Sequence, residues 1–150
     1  MKAVIQLVTQ AQVCVEGETI GACGRGYMIL LGVGTQDTEA DAAALAQKIV
    51  KLRIFPDEEG RMNRSITDVN GEILVVSQFT LYANYVHGNR PDYLNAARPE
   101  TAVPLYESFV AHLRERVPRV ETGEFGADMQ ISLTNDGPVT IVMESELLKK

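Results

Sequence analysis

A proline lies between two runs of residues that otherwise alternate in the manner of β-strands. The stretch runs from Asn135 to Thr140 and reads Asn-Asp-Gly-Pro-Val-Thr. Proline has no N–H to donate to a β-ladder and is normally excluded from the middle of a sheet. We therefore predict that Gly137-Pro138 lies at a turn between two strands. The turn is either a plain chain reversal or a rigid backbone segment presented to a ligand.

The composition is typical of one ordinary folded domain. The chain has 150 residues, of which 45% are hydrophobic and 23% are charged, and a chain of this size can bury a substantial core. We expect a single domain over residues 1–150. No apolar run approaches the ~20 residues that a membrane span needs, and the N-terminus lacks a signal-peptide pattern. A cytoplasmic protein with no membrane partner is expected.

The charge balance limits how the protein could bind nucleic acid. The formal net charge is −6, from 14 basic and 20 acidic residues. Proteins that neutralise many phosphates are usually basic, so binding along a long stretch of nucleic acid is disfavoured. Binding to a terminus needs only a few local arginines. Arg61, Arg64, Arg90 and Arg98 lie in predicted loops and are the better phosphate candidates.

The cysteines and histidines do not form a recognisable reactive or metal-binding pattern. Cys14 and Cys23 flank a predicted hairpin turn, and we expect both to be free thiols. His87 and His112 are the only histidines in the sequence, and neither has the spacing of a metal ligand. We therefore expect no metal site.

The hydrophobic pattern predicts an α+β fold that is rich in strands. Strands are expected at residues 2–9, 12–16, 19–24, 27–33, 72–78, 120–124, 128–134 and 139–145. One helix is expected from Thr38 to about residue 54. A second is expected at about residues 103–117, because Pro104 is tolerated only in a first turn, and residues 84–103 would form an ordered loop. Hairpin-like neighbours favour a largely antiparallel, barrel-like β core with two helices packed on it.

Polar residues at the end of a buried strand form the first candidate site. The segment from Ser77 to Leu81 reads Ser-Gln-Phe-Thr-Leu and lies where the strand gives way to a loop. The backbone N–H groups of Phe79 and Thr80 could stabilise an oxyanion there. Alternatively, Ser77 and Thr80 satisfy their own backbone at the strand end. Ser77 lacks the Gly-x-Ser-x-Gly pattern, so a serine-hydrolase triad is not predicted.

Together, residues 77–81 and 135–140 resemble the two signature motifs of the D-aminoacyl-tRNA deacylases. Further similarity to this family follows in order at residues 1–15, 31–33, 53–55, 60–63, 90–91 and 122–130. The resemblance implies a hydrolase that cleaves the ester joining a D-amino acid to the terminal adenosine of tRNA. It also implies chiral proofreading in translation quality control, a homodimer whose pocket is shared between subunits, and no cofactor.

The resemblance assigns roles to the first motif. The pocket that binds the terminal adenosine and the scissile ester would be lined by Ser77, Gln78, Phe79 and Thr80. Thr80 would position water or the ester rather than attack. Catalysis would rest on positioned water, a stabilised oxyanion and the 2′-OH of the substrate itself.

The second motif would supply specificity. By resemblance, Gly137-Pro138 would be cis and would extend into the partner subunit's pocket, where its carbonyls would contact the substrate amino group and exclude an L side chain. Glycine has no side chain to exclude, so glycyl-tRNA would also be cleaved. Many members of the family carry arginine where this chain has Leu7, so we expect the Gly-Pro segment to be held differently here.

Two other functions stay open from the sequence. A tRNA-end binding module with weak catalysis would bind charged tRNA without turnover. A small-molecule esterase would use Ser77 as its nucleophile and would form a covalent adduct with a fluorophosphonate.

Overall fold

A computed structural model describes residues 1–149, which form two sheets and two α-helices. In chain order the elements are β1 (Lys2–Val15), β2 (Glu18–Cys23), β3 (Gly26–Gly32), α1 (Glu39–Lys51), β4 (Phe55–Pro56), β5 (Met62–Arg64), β6 (Glu72–Ser77), a 3₁₀ helix (Phe79–Tyr82), α2 (Pro99–Arg114), β7 (Val120–Thr122), β8 (Gln130–Glu144) and a 3₁₀ helix (Ser145–Leu148). Within residues 1–149, no helix is both long and apolar enough to cross a membrane.

Strand β1 is the centre of the large sheet. It pairs antiparallel with β8 along nearly its whole length, with β3 through its first half and with β2 through its second half. β6 and β7 then continue the sheet as parallel neighbours, because helices α1 and α2 carry the chain back between these strands. The Ala22 N–H donates to the Glu121 carboxylate at 2.9 Å, which brings β7 close to β2 and nearly closes a barrel. The predicted α+β class with a barrel-like core is confirmed.

The core consists of two apolar layers, one on each face of the sheet. The layer toward the helices contains side chains from the sheet and from both helices, among them Ile5, Tyr27, Ile29, Ile73, Leu45, Ile49 and Phe109. The layer on the opposite face contains Val8, Ala11, Val13, Cys23, Met28, Leu74 and Val76. Strands β3 and β6 supply residues to both layers, which explains their continuous apolar sequence.

Two strand predictions differ from the structure in the same way. Residues 2–9 and 12–16 were predicted as separate strands, and so were residues 128–134 and 139–145. Each pair is one long strand, β1 and β8, and the two long strands pair with each other across register shifts. An irregularity in a long strand looks like a strand end in sequence, because the pairing partner is not visible there.

The start of helix α2 was predicted wrongly. The helix begins at Pro99 rather than near Val103, so Pro104 lies inside it. Pro99 suits the first helical position, where an N–H has no acceptor in the helix. Ala102 and Tyr106, on either side of Pro104, are 4% and 6% exposed. We infer that burial of this face outweighs the hydrogen bond that Pro104 cannot make.

Candidate functional site

The segment predicted as the first site forms a continuous structural unit at the end of β6. Ser77 is the last residue of the strand, and the chain turns directly into the 3₁₀ helix Phe79–Tyr82. The Gln78 N–H donates to the Leu31 carbonyl at 2.7 Å, which continues the β3–β6 ladder one residue beyond the strand. The Gln78 side-chain amide donates to the Thr80 hydroxyl. The segment is therefore anchored to the sheet while Phe79, 56% exposed, faces solvent.

Two clefts flank this segment, one on each side. A narrow cleft of 60 Å³ is lined mainly by apolar side chains, including Leu31, Val33, Ala102, Tyr106 and Phe125. A wider cleft of 220 Å³ lies on the other side and includes Val76, Ala127, Met129 and Ile131. Gly126 borders both clefts, as do residues 77–79. The end of β6 thus separates two concave surfaces that a ligand could occupy together.

Aromatic rings border the segment. The Phe79 ring meets the Tyr93 ring edge to face, with centroids 4.9 Å apart. Tyr106 and Phe125 form a second edge-to-face pair, with centroids 5.9 Å apart, and the Tyr106 hydroxyl donates to the Val75 carbonyl at 3.0 Å. Of these four rings only that of Phe79 belongs to an exposed residue, and an exposed aromatic face is suited to stacking on a nucleobase.

Other candidate nucleophiles and bases lie elsewhere or are engaged. Both ring nitrogens of His112 lie near carboxylates: Nε2 is 3.0 Å from that of Glu39, and Nδ1 is 3.3 Å from that of Glu115. Both nitrogens are therefore engaged. Burial, with the nearby Glu72 carboxylate, raises the pKa of the Cys23 thiol to about 11, which keeps it protonated at neutral pH. Over residues 1–149, no three His, Cys, Asp or Glu side chains group as a metal site would require.

The backbone at the end of β6 offers donors of its own. Phe79 and Thr80 are the first residues of the 3₁₀ helix, and the first N–H groups of such a helix have no acceptor within it. Phe79 lines both clefts, and the Thr80 N–H is accompanied by the hydroxyl of the same residue. This arrangement can hold a negatively charged oxygen.

The second motif is an excursion within β8 rather than a turn. Asn135 pairs with Val8 and Thr140 pairs with Gln6, so both flanks of the motif pair with the same strand, β1. Only Leu7 lies between these partners on β1, whereas residues 136–139 lie between them on β8. The chain does not reverse here, and the predicted turn is wrong: the four residues bulge out of the ladder. The Gly137-Pro138 peptide bond is cis, as the resemblance implied.

Asn135 closes the base of the excursion. Its side-chain N–H donates to the Thr140 hydroxyl at 2.9 Å, and its side-chain oxygen accepts a bond from the Val139 N–H at 3.1 Å. Leu7 is 4% exposed and belongs to the layer under the helices. The excursion is thus held by a side chain of its own strand. Asp136, Gly137 and Pro138 are exposed.

Within one chain the two motifs lie at separate places on the sheet. Ser77 pairs with Leu31, and Leu31 pairs with Ala3. The Gly-Pro excursion lies opposite Leu7, four residues further along β1, which corresponds to roughly 13 Å at the rise of a strand. Three strand spacings, roughly 14 Å, separate β6 from β8. The structure of a single chain therefore does not bring the two sets of predicted site residues together.

Sequence reasoning missed the apolar walls of the clefts. Ala102, Tyr106 and Phe125 come from α2 and from the loop after β7, and they line the narrow cleft with the predicted residues. In the sequence these residues cannot be distinguished from residues of the hydrophobic core. Phe125 lies within residues 122–130, where the sequence resembles the family, but the resemblance assigns no role to it.

Comparison with known proteins identifies relatives over the full length of the chain. The family described as D-Tyr-tRNA(Tyr) deacylase matches residues 4–144. A D-aminoacyl-tRNA deacylase of Thermus aquaticus is 57% identical over 145 residues, covering 97% of this chain and 95% of the relative. One of Roseiflexus castenholzii is 55% identical over 150 residues, covering 100% and 96%.

Solved structures share the fold. The c-Myc DNA Unwinding Element Binding Protein superposes with a TM-score of 0.90 at 46% identity, covering 96% of this chain and 98% of that one. A probable eukaryotic D-amino acid tRNA deacylase superposes with a TM-score of 0.80 at 17% identity, covering 95% and 97%. At that identity the second match shows the common fold alone.

These matches, with the strand-end site, place the protein among the hydrolases, as predicted. The residues that the family matches, 4–144, include both motifs and nearly all of the barrel-like core. The chain belongs to the D-Tyr-tRNA(Tyr) deacylase family. The family predicted from the two motifs is confirmed.

Proposed function

We propose that the protein hydrolyses the ester bond of D-aminoacyl-tRNA and releases free tRNA and the D-amino acid. The observation that carries this proposal is the strand end at Ser77–Thr80, where two clefts, the exposed Phe79 ring and the first two N–H groups of a 3₁₀ helix occur together. The names of relatives more than 50% identical agree with it. The protein would act in the cytoplasm as a single domain, proofreading the chirality of aminoacyl-tRNA.

The residues of the first motif support a mechanism without a side-chain nucleophile. An aminoacyl ester is an activated ester, so a positioned water is a sufficient attacking group. The N–H groups of Phe79 and Thr80 would stabilise the negative charge that develops on the carbonyl oxygen of the ester when water attacks. The Thr80 hydroxyl, fixed by the Gln78 amide, would position the water or the ester. The substrate's 2′-OH would assist, and Phe79 would stack on the terminal adenine.

A homodimer is proposed from an exposed apolar row on the sheet. Val142, Val4 and Leu30 lie side by side across β8, β1 and β3 on the face opposite the helices. Val142 is 67% exposed, and Val4 and Leu30 are only partly buried. Contiguous apolar surface of this kind is suited to association. A second copy of the chain would cover the row with the same row of its own.

The dimer would allow one subunit to complete the site of the other. The excursion at Gly137-Pro138 is on the same strand as Val142 and is exposed, while it is distant from Ser77 of its own chain. In a dimer formed through this face it would reach the partner's pocket. There its carbonyls would contact the substrate amino group and leave no space for an L side chain, while glycyl-tRNA would still be cleaved.

The activity is tested with matched D- and L-tyrosyl-tRNA, by following release of free tyrosine. We expect rapid release from the D substrate and slow release from the L substrate. Equal rates for the two, or no release from either, would contradict the proposal.

Thr80→Ala should lower kcat. Tight binding of charged tRNA without turnover, unchanged in that variant, would instead indicate a binding module. Treatment with a fluorophosphonate should leave Ser77 unmodified, and an adduct there would indicate an esterase.

Asn135→Ala is expected to weaken chiral discrimination. The substitution removes the two hydrogen bonds at the base of the excursion, each worth about 1 kcal/mol. The ratio of kcat/KM for D- over L-tyrosyl-tRNA should fall about tenfold or more, chiefly because the L substrate is admitted.

The matched control for Asn135→Ala is Gln10→Ala. Gln10 also makes an exposed side-chain hydrogen bond between β1 and β8, donating to the Thr134 hydroxyl at 3.0 Å, but outside the excursion. Its removal should leave the ratio unchanged. An unchanged ratio in a folded Asn135→Ala protein would show that Asn135 does not hold the specificity segment.

A further inference from the structure

A protruding loop follows directly from the candidate site. Asn84 and Asp92 exchange backbone hydrogen bonds of 2.8 and 2.9 Å, so residues 85–91 form a small closed loop. The Asn84 side chain accepts from the Val86 N–H and the Asp92 side chain accepts from the Leu94 N–H, both at 3.2 Å. The loop is therefore an ordered structure. We refer to residues 84–94 as the site loop.

The site loop is fixed to the catalytic region at both ends. Its first residue follows the 3₁₀ helix that contains Phe79 and Thr80, and Tyr93 packs against the Phe79 ring. Beyond its end, the Asn95 carbonyl accepts from the Thr35 N–H at 3.1 Å and the Ala97 N–H donates to the Val33 carbonyl at 2.9 Å. A ligand that contacts Phe79 and extends outward would therefore meet this loop.

The surface of the site loop combines large apolar groups with positive charge. Tyr85, Val86 and Leu94 are 77%, 75% and 82% exposed, among the most exposed large hydrophobic side chains of residues 1–149. Arg90 and Arg98 are also exposed. Such exposure of apolar surface in a folded chain usually marks a binding surface.

Within residues 1–149, three arginines are paired with carboxylates, and the two arginines near the site loop are among those that are not. Arg61, Arg64 and Arg119 each form an ion pair with a nearby glutamate. Arg90 and Arg98 take part in no ion pair within the part of the chain that the structure describes. Residues 83–98 carry these two arginines against one aspartate, although the whole chain has a net charge of −6. Residues 83–98 thus carry a net charge of +1 in an acidic protein.

We propose that the site loop binds the single-stranded nucleotides that precede the terminal adenosine of the tRNA. Tyr85 would stack on a base, and Arg90 and Arg98 would contact phosphates. An exposed aromatic ring next to unpaired arginines is the combination that single-stranded RNA binding uses. The acidic remainder of the molecule confines the contact to this end of the tRNA. This proposal rests on the proposed deacylase function, because the nucleotides that the site loop would bind belong to the substrate of that reaction.

The test compares two substrates that share the ester and differ in the RNA. One is D-tyrosyl-tRNA and the other is the D-tyrosyl ester of adenosine alone. Tyr85→Ala combined with Arg90→Ala should lower kcat/KM for the tRNA substrate about tenfold or more, because a stacked base and a phosphate contact are lost. It should leave kcat/KM for the adenosine ester within about twofold. A fall that is equal for both substrates, or no fall for either, would overturn the proposal.

A direct measurement of tRNA binding tests the proposal without relying on turnover. The affinity for uncharged tRNA is measured by fluorescence anisotropy at several salt concentrations. The slope of log affinity against log salt should decrease by about 0.7 for each phosphate contact removed from a single strand. Arg116→Ala is the matched control, since Arg116 is an exposed arginine that follows the C-terminal end of α2, outside the site loop, and it should change neither affinity nor slope.

Two further outcomes distinguish this proposal from the proposed deacylase function and from a contact between copies of the chain. If the wild-type protein cleaves neither substrate, the deacylase function fails, and the binding measurement alone decides whether the site loop contacts RNA. If the Tyr85→Ala and Arg90→Ala protein changes its oligomeric state in analytical ultracentrifugation, the site loop is a contact between copies of the chain. That result would overturn its assignment to RNA.

Discussion

A protein with Val142→Asp should be a folded monomer with little deacylase activity. Val142 is 67% exposed in the single chain, so an aspartate there should not disturb the fold. In the proposed dimer the same position is covered, and each of two symmetric copies would bury a charge without a partner. An unpaired buried charge costs about 2–3 kcal/mol or more, so two copies should raise the dimer Kd by about 10³-fold or more.

Activity should follow the oligomeric state. Because the carbonyls of the partner's Gly-Pro excursion would hold the substrate amino group, a monomer would lack a substrate contact as well as the L filter. Specific activity on D-tyrosyl-tRNA should therefore fall with the fraction of dimer and recover as the protein concentration rises. Analytical ultracentrifugation and initial rates over the same concentration range measure both. Leu147→Asp is the matched control, because Leu147 is 66% exposed in the C-terminal 3₁₀ helix and lies outside the apolar row. Full activity in a monomeric Val142→Asp protein would rule out a shared site.

Gly26→Ala is expected to destabilise the fold by more than about 3 kcal/mol. A Cβ at Gly26 would lie 1.7 Å from the Glu72 carbonyl oxygen and 2.6 Å from the Glu72 nitrogen. Gly26 and Glu72 are the first partners of the parallel β3–β6 pair, so the added methyl would force these strands apart. The next pair, Tyr27 and Ile73, is fully buried in the core. Urea unfolding should show a lower midpoint with a similar slope.

Gly60→Ala separates this clash from the general effect of replacing a glycine. Gly60 has a φ of +80° and no heavy atom within 4 Å of an added Cβ. The substitution should cost about 1–2 kcal/mol, the penalty of a left-handed conformation for an L residue. A loss in Gly26→Ala no larger than that in Gly60→Ala would show that β3 and β6 can separate without disrupting the core.

The fold class was predictable because its signals are local. The alternation of apolar residues in β8 and the continuous apolar runs of β3 and β6 reflect burial on one face or on two. Pairing partners are not local, and this caused the main error at Gly137-Pro138. A proline between two strand patterns suggests a hairpin, yet both flanks pair with β1, which at 14 residues is long enough to accommodate them.

The candidate site could be predicted as one group where its residues are adjacent in sequence. Ser77–Thr80 form one short motif at a strand end, and the structure keeps them together beside two clefts. Tyr106 and Phe125 could not be identified in this way, because they are apolar and come from distant segments. The role proposed for Gly137-Pro138 would involve a partner chain, so neither the sequence pattern nor the geometry of one chain alone assigns its contacts.

The pairing of both flanks of the excursion with β1 has a consequence for evolution as well as for binding. Because the flanks are fixed by the central strand, residues 136–139 can change in number or kind without altering the register of the sheet. The same anchoring limits the conformational freedom of the segment before any ligand binds, which lowers the entropy cost of a contact made there. Selectivity could therefore be retuned through a few residues while the scaffold stays constant.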